Sequence, residues 1–437
     1  MRFKAGAVSA LSLALLVFVS SPASATDGHF LHGVGAVNSA MGGAGVAYTG
    51  DLLGALNLNP AALHTGMGGT RAALSFELFK ADRTVASSMP GGMGSGSTQS
   101  KSDFVPVPAF GWATALNDKV TVAFGGLGIG GFGVDYAQDN TNPILGPRQM
   151  GGFGQVYSNF SLMKITPAIA FAASDKLQLG FALNIDWSSL AVDPFPAASP
   201  AFDQNTGTQM YSSATAADGA FGFGFQAGLI YKATDALNIG LAYSSKQDFQ
   251  DYEYNSVYEN PNLANFGQAR DITFAMDAPA IYAGGIAYDG GALVLTADAK
   301  YITYSKTDGF SESGFDMTGA VKGFGWEDIW VYAGGLQLEA TDGVFLRAGW
   351  NYSENPIPDA MSLFNIPAPA IVQQHATVGI GFEPFENVTV DLGYYHVFEN
   401  SISGPMFGPT GPIAGSSVTS SMFEDSFLMT FQFTPGS

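Results

Sequence analysis

The sequence predicts an all-β transmembrane protein, a fourteen-stranded antiparallel outer-membrane β-barrel whose lumen is plugged by a small, partly helical N-terminal hatch. Three observations carry that prediction. Charged residues make up only 12% of the chain while the hydrophobic share is an ordinary 46%, about half the ~25% charge content of a soluble domain. Apolar residues recur at alternate positions, the period of a strand with one greasy and one polar face. Short turns and long polar loops then alternate along the whole chain, as a barrel with one short-turn end and one long-loop end requires.

The N-terminus comes first. Arg2 and Lys4 precede an apolar run from Leu11 to Val19, and Ala23-Ser24-Ala25 supplies small residues for cleavage. This three-part pattern predicts a secretory signal peptide over residues 1–25, too short in its apolar part to anchor the chain. The protein has no cysteine, so the exported chain relies on strand pairing without disulfides. Residues 26–69 lack sustained alternation and are rich in Gly, Ala and Leu. Asn59-Pro60 enforces an extended bend there, because the residue before proline avoids the helical region. Small side chains allow close backbone approach, and a compact plug inside a lumen would use them.

The barrel is expected over 70–437. Its strands are read at 70–82, 104–116, 120–136, 160–173, 176–191, 220–233, 236–249, 271–288, 291–305, 328–340, 343–353, 373–383, 387–399 and 424–433. Leu177, Leu179, Phe181, Leu183, Ile185 and Trp187 share one parity, against Gln178, Asn184, Asp186 and Ser188 on the other. An even strand count leaves both barrel ends on the periplasmic side. Trp112, Trp187, Trp330, Trp350, Tyr243, Tyr301, Tyr352 and Tyr394 fall toward strand ends on the apolar parity, where an interfacial girdle belongs.

Other chemistries find little support. A net charge of −20 argues against nucleic acid as a partner. Gly128 to Gly133 matches a dinucleotide-binding glycine pattern but leads into VDYAQDNTNP, with no helix to receive a pyrophosphate. His29 and His32 stand three apart without further ligands to complete a metal site. No Gly-x-Ser-x-Gly elbow marks an activated serine. The sequence therefore predicts neither an enzyme nor a cofactor or metal.

The run Ala36–Leu63, with MGGAG at 41–45 and Asn59, Pro60 and Ala61 near its end, resembles the hatch of FadL-type outer-membrane transporters of long-chain fatty acids and aromatic hydrocarbons. Trp326-Glu327-Asp328, LRAGWNYSENPIPD at 346–359, Ile366-Pro367 and HATVGIGF at 375–382 extend that resemblance in order along the chain. The family usually ends on an aromatic residue, whereas here Phe433 is followed by Thr-Pro-Gly-Ser.

The resemblance implies a monomeric, hatch-plugged barrel in the Gram-negative outer membrane, surrounded by lipid and lipopolysaccharide. Such a barrel passively takes up a hydrophobic small molecule, binds it in the lumen and releases it sideways at a kink in the third strand. Gly125, Gly126, Gly128, Gly130, Gly131 and Gly133 lie in that strand, and glycine weakens pairing and tolerates bulges. They mark a lateral exit, or alternatively a flexible strand end leading into an outer loop. Lys164, Lys300 and Arg347 fall on the lumenal parity as partners for a fatty-acid carboxylate. The alternative is that Asp186, Asp298, Glu339 or Asp391 pair with them. Leu52, Leu53, Leu56 and Leu58, with Phe345 and Leu428, are candidates to line the acyl pocket. The loop 192–219 is expected to expose Phe195, Phe202, Met210 and Tyr211 for first capture. A second functional reading, a surface barrel with a structural or lipopolysaccharide-binding role and no hydrophobe transport, stays open on sequence grounds. So does the choice between fatty acid and neutral hydrocarbon.

Overall fold

The computed structural model describes residues 26–434 apart from 67, 93, 216–218 and 409–410; the expected signal peptide lies outside the described residues. Fourteen strands form the wall: β1 Thr70–Ser88, β2 Val105–Asn117, β3 Val120–Tyr136, β4 Val156–Ala172, β5 Leu177–Asp193, β6 Ala220–Lys232, β7 Leu237–Ser244, β8 Ile281–Asp289, β9 Leu293–Ile302, β10 Ile329–Thr341, β11 Val344–Ser353, β12 Gln374–Phe385, β13 Val388–Gly404 and β14 Ser417–Phe433. Each pairs antiparallel with its sequence neighbours. The sheet closes where β1 meets β14 from Ala72↔Phe433 to Ser88↔Ser417. Closure removes the free edges that an open sheet would expose.

The two faces of this wall reverse the usual order of burial. On β5, Gln178, Asn184, Asp186 and Ser188 are buried, while Phe181 and Leu183 stand 43% and 49% exposed. Phe76, Leu241, Ile286 and Phe427 are exposed likewise on other strands. An outward apolar belt with a polar interior belongs in a bilayer, because a closed barrel satisfies every backbone group within itself. Trp112, Trp330 and Trp350 face outward, and Tyr301 packs on Trp330 with ring centroids 4.9 Å apart.

The wall departs from the sequence reading in one region. Residues 271–274, expected to open the eighth strand, instead belong to Ala269–Phe274, which pairs with Tyr252–Val257 as a separate outer hairpin. β7 ends at Ser244, and after an irregularity at 245–247 Asp248–Phe249 resumes the pairing with β6. A bridge between Gln247 and Ala278 pinches off this excursion, and Lys246 reaches Asp277 at 2.7 Å. Pro279, which has no backbone N–H, follows directly and precedes β8. Elsewhere β1, β13 and β14 run several residues past the expected ends, beyond the apolar belt.

Residues 26–64 are almost entirely buried and pack against the inward face of the wall. Two short helices, α1 Ala36–Ala40 and α2 Leu52–Leu58, alternate with tight turns. Asp51 caps α2 by accepting from the N–H groups of Leu53 and Gly54. Wall glycines make room for this segment. A Cβ at Gly180 would lie 2.1 Å from the Ala61 nitrogen, and one at Gly349 would lie 2.2 Å from that of Gly42. Asn59 fixes the far end: its amide donates to Val46 O at 2.7 Å and Leu229 O at 3.2 Å, while its carbonyl oxygen accepts from Ala61 N–H.

Candidate functional site: a lumenal cavity behind a broken ladder

The hydrogen-bonded ladder between β2 and β3 runs from the short-turn end only as far as Ala109↔Leu127. Beyond it, β2 continues to pair with β1 through Phe79↔Val105. Pro106 and Pro108 explain the break. Two residues apart, they point toward the same neighbouring strand, and the intact ladder to β1 puts their missing N–H groups on the β3 side. On its other edge β3 slips register between Gly128 and Gly130, so that Ile129 bulges out of the pairing with β4.

The edge that β2 abandons is taken up by the N-terminal segment. Leu31 N–H donates to Ile129 O at 2.9 Å, Gly131 N–H donates to His29 O at 2.9 Å, and Phe30 bridges Gly130. Glycine is required at 130, since a Cβ there would lie 2.2 Å from the His29 oxygen. His29 is held by Tyr304, whose hydroxyl lies 3.0 Å from Nδ1, and stacks on Phe310. Burial lowers the His29 imidazole to about 3 and is the main cause holding His32 near 4. The same desolvation raises the Asp51 carboxyl to about 6.

Behind this strip lies a lumenal chamber. Phe30, Leu31, Leu58, Ile129, Ile281 and Ile302 give it an apolar side; Lys164, Asp186, Gln226, Gln247, Lys300 and Asp27 give it a polar one. Three of the residues singled out in the sequence, Lys164, Lys300 and Leu58, therefore meet in one chamber. Lys300 Nζ pairs with Asp27 at 2.6 Å. Lys164 Nζ donates to the backbone oxygen of Asn57 at 3.2 Å and to its side chain at 3.1 Å, with Asp186 directly across the strand pair.

The remaining candidates lie elsewhere. Arg347 is held by Asp391 at 2.7 Å and by Gln337 at 2.7 Å, with its guanidinium over the Phe345 ring, outside the chamber lining. Leu52, Leu53 and Leu56 pack on Gly111, where a Cβ would meet all three. Leu428 is buried on β14 opposite Gly393. Sequence reasoning missed Asp27, Asn57, Gln226 and Gln247. The lumenal parity of β6 carries Gln226; Gln247 falls on the outward parity of the strand read at 236–249, and Asp27 and Asn57 sit on segments without alternation.

The outer loops form a second, apolar pocket, lined among others by Pro196, Tyr211, Phe315, Leu363 and Phe364. Of the four loop residues expected to be exposed, only Phe202 is; Phe195, Met210 and Tyr211 are buried. Arg148 ties the loops together by pairing with Asp193 and Glu259, each at 2.6 Å.

Solved structures share this architecture at low sequence identity. The toluene transporter TodX of Pseudomonas putida superposes with a TM-score of 0.70 at 18% identity, covering 93% of this chain and 99% of its own. A Pseudomonas aeruginosa FadL homologue gives 0.68 at 17%, covering 95% and 99%. The Ralstonia pickettii toluene transporter TbuX gives 0.63 at 17%, covering 92% and 98%. No curated protein matches the chain in sequence. The family model for outer membrane protein transport proteins (OMPP1/FadL/TodX) matches residues 16–405. With its closed fourteen-strand wall, the chain belongs to that family and is an outer-membrane β-barrel.

Proposed function

We propose that the protein is a passive channel for the uptake of hydrophobic compounds, long-chain fatty acids or neutral hydrocarbons such as the toluene carried by the relatives. Residues 26–69 act as the hatch and residues 70–437 as the barrel. A hydrophobe partitions into the apolar cavity among the outer loops, passes to the lumenal chamber, and leaves sideways into the bilayer between β2 and β3. The observation that carries this reading is the coincidence of three features at Ile129: the end of the β2–β3 ladder, a bulge toward β4, and a chamber wall. Residues 29–31 cover that gap by hydrogen bonds with Ile129 and Gly131 and by His29 packed against Tyr304 and Phe310, so the route opens when this strip leaves the β3 edge.

Lys164 and Lys300 are the chamber's polar anchors, whereas Arg347, engaged by Asp391, latches the wall beneath the hatch. One chain lines the whole route, so a monomer suffices, and no catalytic step is involved. Its outward face meets lipid and lipopolysaccharide. The test is uptake of labelled oleate, toluene and decane by a porin-deficient strain with and without the protein. Faster uptake of at least one is the expected result. Equal rates for all three would favour the structural role instead.

A further inference from the structure

The polar side of the lumenal chamber is unbalanced in a way that specifies its ligand. Six oxygens there have no hydrogen-bond partner among the described residues: both carboxylate oxygens of Asp186, Oδ1 of Asp27, Oδ1 of Asn184, and Oε1 of Gln226 and Gln247. All five residues line the chamber and are at least nine-tenths buried. Two of the amides are fixed in direction by backbone carbonyls. Gln226 donates its Nε2 to Asn57 O at 2.7 Å, and Gln247 donates its own to Ser245 O at 2.6 Å. Their carbonyl oxygens are therefore left without donors by the fold itself.

The lysines do not close this deficit. Lys164 already gives two hydrogen bonds to Asn57, and Lys300 gives one to Asp27. With three protons on each ammonium, at most three remain for six oxygens. An unmet buried acceptor is costly, so the chamber favours a ligand that brings protons. A carboxylate adds acceptors and deepens the imbalance. An alkane leaves it untouched. The charges of Asp27 and Asp186 offset those of Lys164 and Lys300, so no net field calls for an ionic ligand.

We propose that this chamber selects neutral amphiphiles whose polar end is a hydrogen-bond donor, a hydroxyl on a hydrophobic body. The hydroxyl sits toward Asp186, Gln226 and Gln247, and the body lies against Phe30, Leu58 and Ile129. The inference rests on the uptake reading and narrows its substrate class. A site built around a hydroxyl rejects analogues that lack one far more strongly than an apolar pocket rejects a wrong shape.

The test uses the full-length protein in nanodiscs at pH 8, with labelled 1-decanol, decanoate and decane as probes and empty nanodiscs as the blank. Decanol is expected to bind at least about ten-fold more tightly than decanoate or decane. Asp186→Asn keeps the shape, removes one acceptor and adds a donor. It is expected to cut the decanol-over-decanoate ratio by about ten-fold in a barrel that still shows the heat-dependent gel shift of the folded state. Decanoate binding as tightly as decanol to the wild-type protein, or an unchanged ratio in the variant, would overturn this inference and leave uptake standing. Failure of all three probes to bind, together with no uptake into liposomes, would overturn the uptake reading along with it.

Discussion

Asn59 ties residues 26–64 together and to the wall: its amide donates to Val46 O within that segment and to Leu229 O on β6, and its carbonyl oxygen accepts from Ala61 N–H. Replacing it with Leu strands the carbonyls of Val46 and Leu229, each at a cost of about 1–3 kcal/mol. Hydrogen exchange over residues 45–63 is the measurement: at least about ten-fold faster exchange is expected, since 1.4 kcal/mol is a factor of ten. Gly228→Ala attacks the same joint from the wall, because a Cβ there would meet the Asn59 oxygen at 1.8 Å. Both changes are expected to loosen the hatch without unfolding the barrel. The buried imidazoles make the docking pH-sensitive. His29 and His32 titrate near 3 and 4 in place and near 6.5 when released. Their contribution is complete above pH 6.5 and is lost progressively as the pH falls toward 4. Asp51 opposes them, since its raised carboxyl favours docking at low pH. Around His32 stand Asp27, Lys300, His375 and Tyr395. Asp51 caps α2, away from the two imidazoles, so protection of residues 29–33 is expected to fall between pH 7 and pH 4.5. Unchanged protection would contradict the assignment. At this scale the sequence was legible only in part. Parity placed Lys164, Lys300 and Arg347 inward, but their partners are set by barrel stagger and by the hatch. Asp27 lies 273 residues from the lysine it pairs with, and no local pattern connects them.

Elements follow the sequence closely where alternation and connection length agree. All fourteen wall strands fall at the expected places, because a one-residue slip would turn every lipid-facing side chain inward. The exception, the hairpin of Tyr252–Val257 with Ala269–Phe274, shows the limit of that argument. A hairpin lifted off the wall alternates just as a wall strand does, and only Pro279 and the Gln247–Ala278 bridge separate the two. The third strand was legible through its glycines, whereas the prolines of β2 were not read as the cause of the break. Gly130→Val places a branched side chain against the His29 oxygen and is expected to expel residues 29–31 from the β3 edge. Limited proteolysis near Phe30 measures this, and cleavage is expected in the variant but not in the wild-type protein.

Taken whole, the molecule pairs a closed wall with a ladder that stops at Ala109↔Leu127, and the proposed route of a hydrophobe into the bilayer runs through that break. The tall side of the barrel, β13, β14 and β1, spans 17–19 residues per strand. The opposite side at β7 is eight residues long and is roofed by loops. The chamber lies between them, against the β3 bulge. Low charge, the absence of a long apolar helix and the loop alternation made this architecture legible. The chamber's polar chemistry was not, because the chamber is assembled from seven strands and the hatch.

The proposed lateral route can be tested by closing it. A Cβ at Gly128 would lie 3.8 Å from the Val107 Cβ, within the ~3.5–4.5 Å that a disulfide spans, and the chain has no cysteine to compete. The measurement is hydrophobe uptake by the Val107→Cys/Gly128→Cys double variant, oxidised and then reduced, beside both single variants. The account expects uptake to fall to background when β2 and β3 are stapled and to return on reduction. Full-rate uptake through the oxidised protein would show that the substrate leaves by another path.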